Sequence, residues 1–85
     1  MFYVYLLRSE SHPHETYIGF TTDLRQRLKE HNQSKSAHTR KYEPWRLVAY
    51  VAFLDKAKAE GFERYLKSGS GRAFANRHLW DSPRT

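Results

Sequence analysis

No cysteine occurs among the 85 residues, which excludes a disulfide framework, a thiolate metal site and a cysteine nucleophile. Glycine is scarce at four residues and proline at three, and no repeat or low-complexity tract appears. Long apolar runs are missing: Val48 to Leu54 falls far short of the roughly 20 residues a membrane span needs. The opening Met1-Phe2-Tyr3-Val4-Tyr5 lacks a charged n-region and a small-residue cleavage site, so it does not read as a signal peptide. The expectation is a soluble cytoplasmic protein. Acidic residues are also few, nine against fifteen Lys or Arg, for a net charge of +6 with five histidines besides. That excess points to an anionic partner, of which nucleic acid is the commonest. A chain of this length predicts one domain, residues 1–80, with a radius of gyration of roughly 12 Å and a short tail at 81–85. A body so small has little room for a deep pocket, so a large substrate must lie on its surface.

The pattern along the chain reads as ββαβαα. Phe2 to Leu7 is apolar and aromatic, a strand with Tyr3, Tyr5 and Leu7 on one face and Phe2, Val4 and Leu6 on the other. Arg8 to Glu15 is a polar loop, and Thr16 to Phe20 is a second strand with Tyr17 and Gly19 on one face. The short connection suits an antiparallel hairpin. Asp23, with Gln26 three residues on, opens a helix whose apolar stripe is Leu24 and Leu28. A basic loop from Lys35 to Pro44 leads to a third strand, Trp45 to Phe53, whose mostly apolar pattern predicts the central position in the sheet. Asp55 caps a second helix with Ala59, Phe62 and Leu66 inward. Ser68-Gly69-Ser70-Gly71 is read as a break, followed by a short helix with Phe74, His78 and Leu79. The fold class is α+β, one small sheet with helices packed against it.

Helical geometry puts Arg27 and His31, four residues apart, on one border of the first helix's buried stripe. Glu63 falls on a border of the second helix, and Tyr5 and Tyr17 share a face on adjacent strands. Two phenols, an Arg, a His and a carboxylate are suitable parts for phosphodiester hydrolysis. A single carboxylate with phosphate oxygens can hold Mg²⁺. The metal and an Arg neutralise charge growing at phosphorus. A phenol or imidazole handles the proton of the attacking water. Each of these residues taken singly has an ordinary structural reading, as a solvated border charge or a half-buried strand tyrosine.

Taken together, the positions resemble the GIY-YIG nuclease superfamily. Tyr3-Val4-Tyr5 stands where the first motif has Gly-Ile-Tyr, and Tyr17-Ile18-Gly19 is the second motif intact. Arg27 lies ten residues past Tyr17, His31 four further, and Glu63 sits in Phe62-Glu63-Arg64-Tyr65-Leu66-Lys67. His38-Thr39, Lys41-Tyr42, Pro44-Trp45 and Leu66 to Arg72 are similar to the small stand-alone bacterial members. The resemblance implies a three-stranded antiparallel sheet flanked by helices and a Mg²⁺- or Mn²⁺-dependent endonuclease. It implies that Tyr5 is a candidate general base, Tyr17 orients or activates the water, and Arg27 binds the scissile phosphate. His31 would transfer a proton or position a tyrosine, and Glu63 would hold the divalent ion. Asn76 is a loose fit to a late polar position of the family.

Lys35, Arg40, Lys41 and Arg46 flank the first helix and third strand, and Lys67 and Arg72 flank the Ser/Gly stretch. As phosphate contacts they would position a strand without reading its sequence. The expected partner is therefore DNA recognised by form, single-stranded or branched, with Trp45, Tyr42 or Trp80 available to stack on unpaired bases. The alternative expectation is a non-catalytic nucleic-acid-binding module on the same fold. Oligomeric state is not legible in the sequence.

Overall fold

Strand β1, Phe2–Ser9, is buried without interruption from Val4 to Ser9, and that burial decides its place. It pairs antiparallel with β2 (Thr16–Thr21) on one side and β3 (Trp45–Phe53) on the other, giving the order β2-β1-β3. The central strand is thus β1, which corrects the sequence expectation for β3. Strand β3 is apolar in sequence, but its Tyr50 is 52% exposed and among the described residues its outer edge pairs with no strand. The computed structural model describes residues 1–81; of the expected tail, residues 82–85 lie outside the described residues.

Helices cover both faces of the sheet. On one face Tyr5, Leu7 and Trp45 pack with Tyr17, Leu24, Leu28 and Leu47, which seats α1 (Leu24–His31) there. On the other, Val4 and Leu6 pack against Ala59 and Leu66 of α2 (Lys56–Leu66) and Ala75 of α3 (Gly69–His78). Val4, Leu6 and Leu66 are wholly buried, each contributing roughly 1.5–3 kcal/mol relative to exposure. The Cα radius of gyration is 12.5 Å. No helix among the described residues is long and apolar enough to cross a membrane.

The helix starts follow the sequence signals. Asp23 accepts a hydrogen bond from the Gln26 amide at 3.0 Å, but Gln26 turns toward Glu30, and Thr21 Oγ1 takes the Asp23 N–H instead. Asp55 caps α2 through the Ala57 and Lys58 amides. The Ser/Gly run is not the break it was expected to be. Ser68 caps α3, which begins at Gly69, so the run forms that helix's first turn. Its Gly71 N–H is taken by Ser68 Oγ at 3.2 Å. A Cβ on Gly71 would stand 1.6 Å from the Tyr65 carbonyl oxygen, so this glycine lets two helix backbones touch.

Two further departures concern the ends of the sheet. Arg8 and Ser9, expected in a loop, extend β1 into the interior. Arg8 is only 6% exposed. Its Nε meets an Asp81 carboxylate oxygen at 3.1 Å, and its guanidinium lies 5.5 Å from the Trp80 ring centre. Arg46 binds the other Asp81 oxygen at 2.9 Å, so Asp81 is tied back onto the sheet. Between β1 and β3, Leu6 faces Ala49 while Leu7 faces Leu47, which leaves Val48 as the extra residue of a bulge.

Candidate active site

Tyr5 lies on β1 and Tyr17 on β2, with their rings on the α1 face 6.1 Å apart. Tyr5 stands opposite Gly19 in register, where a Cβ would come 2.4 Å from its hydroxyl oxygen and 2.9 Å from a Tyr17 ring carbon. The bare glycine is therefore the floor on which the Tyr5 ring lies.

Helix α1 supplies the next two groups. His31 is wholly buried rather than at a solvated border. Its Nε2 is 2.9 Å from the Tyr5 hydroxyl and its Nδ1 is 2.8 Å from Thr39 Oγ1. The His31 ring centre is 4.8 Å from that of Tyr17. Arg27 Nε donates to the Tyr5 oxygen at 3.3 Å, and its Nη1 binds Glu30 at 2.9 Å. The Arg27 guanidinium also interacts with Tyr17, and its side chain is one-third exposed, so it remains available to an anion.

These contacts set the proton affinities. Burial pushes the Tyr5 phenol up to about 12, the hydrogen bond from Arg27 opposes that rise, and the charges of Tyr17 and Glu63 add to it. Burial and the nearby Arg27 charge push His31 down to about 4, with Glu30 partly offsetting them. At neutral pH the phenol is protonated and the imidazole is neutral. The Arg27 guanidinium is held charged, chiefly by Glu30, and the same pairing lowers the Glu30 carboxyl.

Glu63 approaches from α2, across the sheet. It hydrogen bonds with none of Tyr5, Tyr17, Arg27 and His31; its carboxylate binds Lys67 Nζ at 2.8 Å and its side chain is 23% exposed. Its charge is near enough to bear on Tyr5. Among the described residues no cluster of three or more His, Asp or Glu side chains forms. One carboxylate open to solvent is the donor set of an ion that keeps its waters and takes phosphate oxygens, as Mg²⁺ does. The residues therefore fit such an ion.

Of the six basic residues expected at a phosphate surface, Lys35, Arg40, Lys41, Lys67 and Arg72 are exposed. Arg46 is engaged by Asp81 and Lys67 by Glu63. Trp45 is 5% exposed, with its indole N–H on the Thr39 carbonyl, so it does not serve as a stacking surface. Lys67, Arg72 and Asn76 line an open cavity of about 410 Å³ with Thr16, Ile18, Leu66 and Trp80. Gly19 and Thr39 acquire meaning only from the structure. Gly19 sits in the motif without an evident task, and Thr39 lies in a loop with no periodicity to place it.

The chain matches the family model described as the GIY-YIG catalytic domain over residues 1–77. The UPF0213 protein BH0048 of Halalkalibacterium halodurans is 42% identical over 71 residues, 82% of this chain and 73% of that protein. The structure-specific endonuclease subunit SLX1 of Malassezia globosa is 38% identical over 79 residues, 88% of this chain but only 17% of that subunit. The match to the Giardia intestinalis homologue of that subunit likewise spans 18% of its length, at 39% identity over 72% of this chain. The solution NMR structure of the UPF0213 protein BH0048 from Bacillus halodurans matches with a TM-score of 0.53 and 34% identity, covering 91% of this chain and 84% of that one.

Proposed function

The chain belongs to the GIY-YIG family, and from that premise we propose that it is a divalent-metal-dependent endonuclease acting on DNA recognised by form rather than sequence. The observation that carries the reading is the buried contact of Tyr5 with His31 and Arg27. A fold that only bound nucleic acid would have little use for a phenol and an imidazole joined beneath its surface. Relatives named as structure-specific endonuclease subunits support a branched or single-stranded substrate.

In this reading the part-exposed guanidinium of Arg27 meets a non-bridging oxygen of the scissile phosphate and offsets the charge that grows there. Tyr17, half-buried beside Tyr5, orients the attacking water. The water oxygen forms the new bond to phosphorus while its proton passes to the Tyr5 oxygen. At the same moment the phenol's own proton moves to His31 Nε2, so a phenol of pKa about 12 never has to wait as phenolate. The bond from phosphorus to the leaving deoxyribose oxygen breaks, and solvent supplies that oxygen's proton. Burial does most to hold His31 down and the Arg27 charge adds to it; bound phosphate masks that second part, which raises the imidazole's basicity when it is needed. Glu63 would hold the Mg²⁺ or Mn²⁺, displacing Lys67. Such an ion supplies Lewis-acid stabilisation of the phosphate and leaving oxygen.

The exposed Lys35, Arg40, Lys41 and Arg72 would track the backbone of the bound strand. The test is a panel of labelled single-stranded, duplex, flap and branched oligonucleotides at low salt with Mn²⁺ or Mg²⁺. Cleavage of branched or single-stranded forms that vanishes with chelator and with Glu63→Ala supports the reading. Salt-sensitive binding without cleavage would replace it with the binding module.

A further inference from the structure

Thr39 is 1% exposed and belongs to no motif the hydrolytic reading uses. Its Oγ1 lies 2.8 Å from His31 Nδ1, behind the imidazole as seen from Tyr5. Its carbonyl accepts the Trp45 indole N–H at 2.8 Å, and its own amide donates to the Ser36 carbonyl at 3.3 Å. The residue is thus fixed by its backbone while its hydroxyl is spent on one ring nitrogen.

A neutral imidazole carries one proton, and its two nitrogens cannot both donate. If Nε2 held it, His31 and Arg27 would both donate to the Tyr5 oxygen, and the phenol could not hand its proton to the ring. If Nδ1 holds it, the Thr39 oxygen accepts it and Nε2 is bare toward the phenol. Resting on the hydrolytic reading above, we propose that Thr39 is a positioning residue that holds His31 with its proton on Nδ1, so that Nε2 can receive the Tyr5 proton. The Tyr5 oxygen already accepts from Arg27 Nε, which leaves the phenol's own proton for Nε2, and the Thr39 oxygen takes the proton that is then left on Nδ1. Thr39 touches neither the phosphate nor the water and acts only through the ring.

The substitution Thr39→Val keeps the shape and the backbone hydrogen bonds but removes the acceptor. A buried Nδ1–H would then have no partner, so the proton moves to Nε2. Thr39→Ser keeps the oxygen. Long-range heteronuclear NMR of the imidazole nitrogens reads the tautomer without reference to activity, and cleavage of a susceptible oligonucleotide reads the consequence. The expected result is Nδ1–H in the wild-type protein and in Thr39→Ser, and Nε2–H in Thr39→Val. Thr39→Val should lose about a hundredfold in kcat with little change in KM, and Thr39→Ser should recover most of it. An Nε2–H wild type overturns the proposal even if no variant folds. So does a Thr39→Val protein that switches tautomer yet cleaves normally, or one that loses activity with its tautomer unchanged. A wild-type protein that holds Nδ1–H but cleaves nothing overturns the hydrolytic reading, and the catalytic role of Thr39 with it.

Discussion

Gly19 stands opposite Tyr5 across the β1–β2 ladder, and a methyl group on it would sit 2.4 Å from the Tyr5 hydroxyl oxygen and 2.5 Å from the carbon bearing it. The glycine is therefore part of the geometry that holds the phenol against His31 and Arg27.

Gly19→Ala should push the Tyr5 ring off its floor. The expected outcome is a loss of about 1–3 kcal/mol from overpacking. Cleavage should fall by at least ~100-fold because the Tyr5–His31 contact opens. Urea unfolding and single-turnover cleavage measured on the same sample separate the two effects. A variant that cleaves at the wild-type rate would remove Tyr5 from the mechanism.

His31 gives the protein an acid-sensitive interior. Its folded pKa of about 4 lies below the ordinary value near 6.5, so the unfolded chain binds the proton first. The stability it protects is complete above about pH 6.5 and is lost progressively as pH falls toward 4, by an amount of order 3 kcal/mol. Urea midpoints taken from pH 7 to 4 should decline in the wild type and decline less in His31→Gln. The same shift places the His31 limb of kcat/KM near pH 4 rather than 6.5 in the free enzyme.

Gly71→Ala tests the seam between α2 and α3. With the Tyr65 carbonyl oxygen 1.6 Å from the new Cβ, a backbone must move, and the cost should be about 3 kcal/mol or more. Gly69→Ala, with nothing within 4 Å of its Cβ, should be neutral or slightly stabilising. Thermal unfolding of the pair decides it. Equal melting temperatures would contradict the close packing.

Asp81 accepts both Arg8 and Arg46, and the two arginines hold its carboxyl below the usual range, Arg46 most strongly. Asp81→Asn should cost about 1–2 kcal/mol. The loss exceeds that of an ordinary surface pair because Arg8 is left nearly buried without its counter-charge. Chemical denaturation at neutral pH measures it, and Arg46→Gln should cost less.

What the sequence revealed and what it withheld divide along physical lines. Period-two alternation put Tyr5 and Tyr17 on one face, and helical spacing put Arg27 and His31 together, because both signals are local. Asp23 and Asp55 announced their helices for the same reason. The centre of the sheet was misjudged, since apolar runs in β1 and β3 look alike until the helices choose which to cover. Arg8 read as a loop residue because its counter-charge, Asp81, comes 73 residues later. Thr39 stood in the His38-Thr39 pair of the resemblance, but its role was silent, since it depends on a loop folding back to meet a helix. Glu63 was legible as a border residue, but its capture by Lys67 was a matter of rotamers that no spacing reports.

The bulge at Val48 carries weight beyond its one residue. Below it, Leu47 and Trp45 join the face of Leu7 and Tyr5, while Arg46 falls opposite Arg8 on the reverse face. Pairing Val48 in a regular ladder, with no bulge, would invert that parity. The indole would leave the loop that carries Thr39 and trade places with the guanidinium that clasps Asp81. One backbone irregularity thus keeps chemistry on one side of the sheet and the chain's closing anchor on the other, and flattening it with Val48 retained would forfeit both at once.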